Sequence, residues 1–250
     1  MKPLFVAADV HGHRDELRET LREAGLVDGE GAWVGADARL WLLGDYVDRG
    51  PDGVGVIDDA RRWEREGDVH ALLGNHEVQL LSARWFADTD VPGAGGTFRD
   101  HWLRWGGREG DLAGVTGERL AWLMSLPALA LVDGHLLMHS DTDRYLELGE
   151  TVGEINRAVA HRLADADPAV FWGFAELMAS RGAFRDGGDE RVVAMLDVLG
   201  GHTIVHGHSP VTRYFGVGEP TEAVRYAGGR AVAVDGEVFN GGRILLTRLI

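Results

Sequence analysis

Apolar residues come in short runs along this chain, and the early runs stop on glycine or a small polar residue. Leu4–Ala8 is the first, and it stops at Asp9. Runs of this length, bounded in this way, predict buried strands. Leu40–Leu43 stops at Gly44-Asp45 and Val69–Leu73 at Gly74-Asn75, in the same manner. Between these runs the period changes. Over His13–Ala24, Leu17 and Leu21 share one helical face while Arg14, Glu16, Arg18 and Glu23 lie elsewhere, and Gly25 follows as a stop. Val54–Glu66 predicts a second helix. Strand, helix, strand, helix, strand in that order implies right-handed crossovers and a largely parallel sheet. Ligands of such sheets gather beyond the carboxyl ends of the strands.

Past residue 90 the pattern differs. Val91–Gly110 is rich in Gly, Trp and Arg, and Phe98, Trp102 and Trp105 recur at helix-like spacing. Such a stripe reads as core or as a packed cap in preference to a ligand platform. Glu118–Leu126 predicts a helix ended by Pro127. Asp133-Gly134 between Ala128–Val132 and His135–Met138 predicts a hairpin. Glu150–Leu163, Pro168–Ser180 and Val192–Leu199 predict further helices. Four more strands are expected at Thr203–Val205, Val224–Ala227, Ala231–Val234 and Ile244–Thr247. The pattern is that of an α/β chain forming one domain over residues 1–250, with a cap-like helical insertion in roughly 91–200.

Composition narrows the function. At 250 residues, 45% hydrophobic and 26% charged, the chain can bury a sizeable core. Its net charge of −15 repels nucleic-acid backbones and anionic membranes, so neither is expected as a partner. There is no cysteine, which excludes disulfides, thiolate zinc sites and cysteine nucleophiles. The apolar run at Leu4–Ala8 is too short for a signal peptide or a membrane span, so a cytoplasmic location is expected. No oligomeric state follows from the sequence.

The candidate chemistry sits where the runs stop. Asp9-Val10-His11-Gly12, Gly44-Asp45-Tyr46-Val47-Asp48-Arg49-Gly50, Gly74-Asn75-His76-Glu77 and His206-Gly207-His208-Ser209 each follow a predicted strand. One Asp or His at a strand end is usually a turn or cap residue. Four such blocks together read as a two-metal site. Asp9 and His11 can grip one cation. Asp45 has two carboxylate oxygens and can bridge two ions about 3.5–4 Å apart. Asn75 offers a neutral amide oxygen, and His139 and His208 offer imidazole nitrogen after Leu136-Leu137-Met138 and Ile204-Val205. Oxygen and nitrogen donors without sulfur favour manganese, iron or zinc over calcium. Glu77 reads as a structural acceptor for amides at the start of a helix. His206 reads as support for a ligand or as packing, and Asp235, after Ala231–Val234, as a turn residue in preference to support for a ligand.

These blocks resemble those of the calcineurin-like metallophosphoesterases, most closely the bacterial type of the phosphoprotein (Ser/Thr) phosphatase family. That family's motifs run GDxHG, GDxVDRG, GNHE, a strand ending in His, and a late strand ending in GH. Here they stand as ADVHG, GDYVDRG, GNHE, LLMHS and VHGHSP. The resemblance implies two mixed β-sheets packed as a sandwich and flanked by helices. It implies a dinuclear centre of two divalent or trivalent ions, manganese first, with Asp9, His11 and Asp45 on one ion and Asp45, Asn75, His139 and His208 on the other. It further implies that His76 is the general acid, that Asp48 orients it, and that Arg49 grips the phosphate. Chemistry agrees with these roles. A water or hydroxide shared by two cations can attack phosphorus, a planar Arg suits phosphoryl oxygens, and histidine suits protonation of a leaving oxygen.

The chain departs from the pattern at Ala8, Ser140 and Pro210. Pro210 stands where the wider superfamily often carries another His, which assigns His208 to the second ion. A second phosphate-gripping Arg is implied as well. Arg181 is its candidate, with a surface ion pair as the alternative. The resemblance makes a phosphorylated protein the leading substrate and a nucleotide or dinucleoside polyphosphate the alternative, with small phosphoesters accepted too. A module that had lost its chemistry would have lost a ligand, His76 or Arg49, and all are present.

Overall fold

The computed structural model describes residues 2–249. Its first half follows the hydrophobic pattern closely. Strand β1 (Leu4–Ala7) leads through helix α1 (Arg14–Glu23) to β2 (Arg39–Leu42), then through α2 (Gly53–Glu66) to β3 (Val69–Ala71) and α3 (Asn75–Phe86). β1 pairs with β2 and β2 with β3, both in parallel register, with Val6 opposite Trp41 and Leu42 opposite Ala71. Strand β9 (Thr247–Leu249) returns from the chain end to pair antiparallel with β1, which makes this four-stranded sheet mixed.

The final strand corrects the sequence reading, which placed it at Ile244–Thr247. Gly242 and Arg243 donate their backbone N–H groups to the carbonyls of Glu237 and Gly236. The chain is therefore still folded back on that turn at Ile244, and pairing begins only when Thr247 comes opposite Val6.

Residues 91–200 hold α4 (Phe98–Arg104), α5 (Glu109–Gly114) and α6 (Gly117–Ser125), then a hairpin of β4 (Leu129–Val132) and β5 (His135–Met138). Helices α7 (Val152–Leu163), α8 (Pro168–Met178) and α9 (Asp189–Leu199) follow. Asp133 and Gly134 both take positive φ, 48° and 79°, the geometry a two-residue hairpin turn requires. Strand β6 (Thr203–His206), the short helix α10 (Val211–Tyr214), β7 (Val224–Tyr226) and β8 (Ala231–Ala233) complete the chain before β9. The second sheet runs β4-β5-β6-β8-β7, parallel at its centre and antiparallel at both edges.

Strand alternation divides the core into layers. Val6, Leu137, Val205, Val232 and Leu249 face one another between the two sheets. Each of these fully buried aliphatic side chains contributes about 1.5–3 kcal/mol. The opposite faces meet helices, Leu40 and Leu42 sharing a cluster with Leu17, Ile57 and Trp63, and Leu136 and Ile204 with Ile155 and Met195. The result is two mixed sheets in a sandwich flanked by helices, as the resemblance implied. Among the described residues no helix is long and apolar enough to cross a membrane.

Candidate active site

The parallel strands of both sheets deliver their carboxyl ends to one edge of the sandwich. Asp9 lies two residues beyond β1, Asp45 three beyond β2 and Asn75 at the start of α3. His139 directly follows β5, and His208 lies two beyond β6. The turns that carry them are tied to each other. His11 and Gly12 donate backbone N–H bonds of 2.8 Å to the carbonyls of Asp45 and Tyr46. Glu77 accepts from the backbone of Gly74, Asp45 and Tyr46 at 2.9, 2.9 and 2.7 Å. It thus caps its own helix and fastens the neighbouring turn to it. Of the ten described non-glycine residues with positive φ, six are Asp9, His11, Asp45, Asp48, Arg49 and His208, so the strained backbone is concentrated here. The glycines in these blocks are needed for close approach. A Cβ on Gly44 would stand 2.6 Å from the Gly74 Cα, and one on Gly207 2.1 Å from the Asp9 Oδ2.

Asp45 is the centre of the site. Its Oδ1 accepts from the His76 backbone N–H at 2.9 Å and lies 3.3 Å from His139 Nε2, while its Oδ2 lies 3.5 Å from His11 Nε2. Backbone carbonyls fix the imidazoles. His11 Nδ1–H donates to Val47 O at 3.1 Å and His139 Nδ1–H to Leu43 O at 2.8 Å, which turns the Nε2 atom of each ring toward Asp45. His208 donates Nε2–H to Ala179 O at 3.0 Å, which leaves its Nδ1. Asn75 Oδ1 lies 2.9 Å from His139 Nε2, and Asp9 Oδ2 accepts the His208 backbone N–H at 2.8 Å.

Burial and charge pull against each other here. Burial pushes the Asp9 carboxyl well up, and nearby Asp235 and Asp45 add to the push. Burial opposes ionisation of Asp45 also, but His139 and His76 beside it hold that carboxyl well below the usual range. Burial would depress His139, and Asp45 outweighs it, raising the imidazole to about 9. Burial depresses His11, as do His76 and Arg49, and it depresses His208, as does His139.

Two clusters have ligand atoms within 4.8 Å of one another: His11 with Asp45 and His76, and Asp45 with His139 and His208. They share Asp45, and both are buried. The first takes His76 where the sequence reading took Asp9. The donor set of carboxylate and imidazole, with Asp9, Asp45 and Asp235 buried close together, fits two borderline-hard cations and lacks the sulfur a softer ion prefers.

The remaining expected residues adjoin these clusters. His76 Nδ1 bonds Asp48 Oδ2 at 2.8 Å, both fully buried. Arg49 donates Nη1 to His11 Nε2 and Nη2 to His76 Nε2, each at 2.9 Å, and its guanidinium lies 4.0 Å over the Phe239 ring. Arg181 is exposed on the pocket rim near Tyr214 and has no carboxylate partner among the described residues. His206 packs on Tyr226, with Nε2 2.7 Å from its hydroxyl, and does not reach the clusters.

Three residues escaped the sequence reading, which takes a fourth, Asp235, first as a turn residue. Trp102, read as core, donates Nε1–H to Asp48 Oδ1 at 2.9 Å. Asp111 accepts the Asp48 backbone N–H at 2.8 Å. Asp235 is fully buried beside Asp9 and Asp45, where burial raises it to about 7. Arg213 lines the pocket while paired with Glu237. Trp102 carried a signal in advance in its place in the aromatic stripe, and Asp235 in its place after the predicted strand Ala231–Val234.

The family model of the calcineurin-like phosphoesterases matches residues 2–225. The chain belongs to that family. Among relatives of this calcineurin-like phosphoesterase, a symmetrical bis(5′-nucleosyl)-tetraphosphatase of Aromatoleum aromaticum is 32% identical over 138 residues, covering 55% of this chain and 43% of that protein. Shewanella-like protein phosphatase 2 of Arabidopsis thaliana is 30% identical over 83 residues, covering 31% of this chain and 21% of that protein. The match thus spans less than half of each of these two relatives. A solved cold-active protein tyrosine phosphatase superposes with a TM-score of 0.73 at 20% identity, covering 98% of this chain and 73% of that one. That likeness is one of fold. The phosphoesterase pocket over Asp45 has a volume of about 300 Å³, with Trp105, Tyr214 and Phe239 in its wall.

Proposed function

We propose that the protein is a dimetal-dependent phosphoesterase. The observation that carries this reading is the shared carboxylate, Asp45, with one oxygen toward His11 and the other toward His139. Asp9, His11 and Asp45 would hold one ion, and Asp45, Asn75, His139 and His208 the other. When bound, two such ions activate a water for attack on phosphorus and neutralise charge on the phosphoryl oxygens. Arg49 supplies the planar guanidinium that binds those oxygens, and the Phe239 ring beneath it limits its rotation. Asp48 holds Nδ1, so Nε2 is the position from which His76 would give a proton to the leaving oxygen once Arg49, which here donates to that nitrogen, binds phosphate instead. Arg181 and Arg213 supply further positive charge at the rim.

For the substrate, the motif match and the phosphatase relative support a phosphoserine or phosphothreonine protein. A second reading, a nucleotide or dinucleoside polyphosphate, draws equal support from the tetraphosphatase relative and from the aromatic wall of the pocket.

Metal-stripped protein should not hydrolyse p-nitrophenyl phosphate and should do so once manganese is added. The His76→Asn variant should lose about 10²–10⁴-fold in kcat. Absence of turnover of both p-nitrophenyl phosphate and a dinucleoside polyphosphate with manganese, iron or zinc would remove the phosphoesterase reading.

A further inference from the structure

A groove of about 550 Å³ adjoins the pocket, and Gln79, Trp105 and Ala179 line both. The sequence explains its shape. Helices α4 and α8 both pack on α3, and small residues at Ala175, Ala179 and Ser180 keep the surface between them concave. Large rings stand around this floor. Trp105 ends α4 and is 55% exposed, although the residues at its own helical spacing, Phe98 and Trp102, are core. Trp172, on α8, is half-buried and held edge-on by Phe98 and His101 at 5.9 and 5.0 Å. An exposed Trp and a restrained Trp lining one groove with Ala175 and Ala179 are costly to leave in water and are suited to stacking.

Two further observations say what would stack there. At the junction with the pocket, Gln79 Oε1 is buried without a hydrogen-bond partner. A buried amide acceptor left unpaired is costly, and turning the half-buried Gln79 amide toward the groove would offer it an N–H donor there. At the rim stand Arg104 and Arg144, the latter already paired with Glu147, with Glu176 the one acidic side chain lining the groove. Rings, an N–H acceptor and arginines next to a phosphoester site match a planar heteroaromatic ring bearing an amino group and joined to phosphate. A phenyl ring has no donor for Gln79.

We propose that this groove is the nucleobase subsite of the phosphoesterase. The base stacks against Trp105 and Trp172 and donates to Gln79 Oε1, while its phosphates reach Arg49 over Asp45. This rests on the phosphoesterase reading and names a nucleotide as its substrate class.

The test compares AMP with ribose 5-phosphate, which differ only by the base. Binding is measured by calorimetry with the manganese-loaded His76→Asn protein, so that the ligands persist. AMP should bind about tenfold or more tighter, the scale of one base stacked on an aromatic side chain. Trp105→Ala, at an exposed position where folding is not at risk, and Trp172→Ala should each narrow that gap. Gln79→Leu should narrow it for AMP but not for purine riboside 5′-phosphate, which lacks the amino group. Thermal melts identify any variant that fails to fold, and Trp172→Phe then replaces Trp172→Ala. Equal affinity for AMP and ribose 5-phosphate, with p-nitrophenyl phosphate still hydrolysed by the parent protein, would overturn the subsite alone. A phosphothreonine peptide that binds more tightly than AMP through Trp172 would give the groove to a peptide and overturn the nucleobase. Absence of turnover of both p-nitrophenyl phosphate and a dinucleoside polyphosphate by the parent protein would overturn the phosphoesterase reading beneath both.

Discussion

The floor and the wall of the pocket are built in opposite ways. The floor comes from short blocks at strand ends, and Asp9, His11, Asp45, Asn75, His76, His139 and His208 are all at most 4% exposed. Its turns are strained and cross-linked by backbone hydrogen bonds, and Glu77 alone accepts from three neighbouring amides within 2.9 Å. The wall comes from helix ends and loops remote in sequence. Trp105 and Tyr214 are 55% and 39% exposed, and Arg181 and Arg213 reach into solvent. A floor so restrained can hold the charges of one reaction in fixed places. A wall of exposed side chains can change ligand without disturbing them. The comparison separates chemistry from specificity, and substitutions on each side should affect different kinetic constants.

The largest effect is expected at the centre of the floor. Asp45→Asn keeps the shape but puts an N–H₂ opposite one imidazole Nε2, and it removes the charge both clusters share. Turnover should fall about 10³-fold, near 4 kcal/mol in the barrier, for every phosphoester tried. Bound manganese, counted by atomic absorption, should drop below two ions per chain. An Asp45→Asn protein that kept both ions and its turnover would remove Asp45 from the centre. A smaller effect is expected where the wall supports the floor. Trp102→Phe leaves an apolar ring in the core but deprives Asp48 Oδ1 of its donor. The Asp48 carboxylate then holds His76 less firmly, and kcat should fall about 10–100-fold, as for other residues that orient a reacting group. KM should change less than kcat, since Trp102, although it lines the groove, is only 1% exposed. A change in KM alone would make Trp102 part of the binding wall.

How far the sequence could be read follows the same division. The floor was legible because each block is contiguous and ends a strand whose apolar run announces it. Asp45 and Asn75 needed only Leu40–Leu43 and Val69–Leu73 to be placed at carboxyl ends. The wall was not, because its partners meet only through tertiary packing. Trp102 and Trp105 lie three residues apart in one stripe, yet one is buried against Asp48 and the other faces solvent. Periodicity could not tell them apart, because the difference is made by α3 and α8, against which α4 turns. Asp235 read as a turn residue because its strand is short. Only the alignment of β8 beside β6 brings its carboxyl to Asp9. The final strand begins three residues later than its composition suggests, for the same reason. Ile244, Leu245 and Leu246 have strand composition, but the edge of β1 decides where pairing starts.

The smallest effect tests whether the floor tolerates a wall residue that carries charge. Asp111, at 4% exposure, accepts the Asp48 backbone N–H, and burial together with the Asp48 charge raises its carboxyl from 3.8 to about 6. A raised carboxyl binds its proton more tightly in the folded chain than in the unfolded one. Its contribution to stability is therefore complete below pH 3.8 and is lost as the pH rises through about 6. Asp111→Asn keeps an oxygen for the Asp48 amide but has no charge to bury. Relative to the parent protein, the variant should gain stability by about 2 kcal/mol between pH 4 and 7, since each tenfold change in proton affinity is worth about 1.4 kcal/mol. Urea denaturation at several pH values measures that difference, and the acid-induced losses common to both proteins cancel. The hydrogen bond to Asp48 is retained, so kcat for p-nitrophenyl phosphate should change little. A stability difference that stayed flat from pH 4 to 7 would mean that Asp111 is ionised throughout, held so by Arg108, whose charge favours the ionised form. The wall would then deliver a negative charge to the back of Asp48, and the boundary between chemistry and specificity would have to be drawn beyond α5.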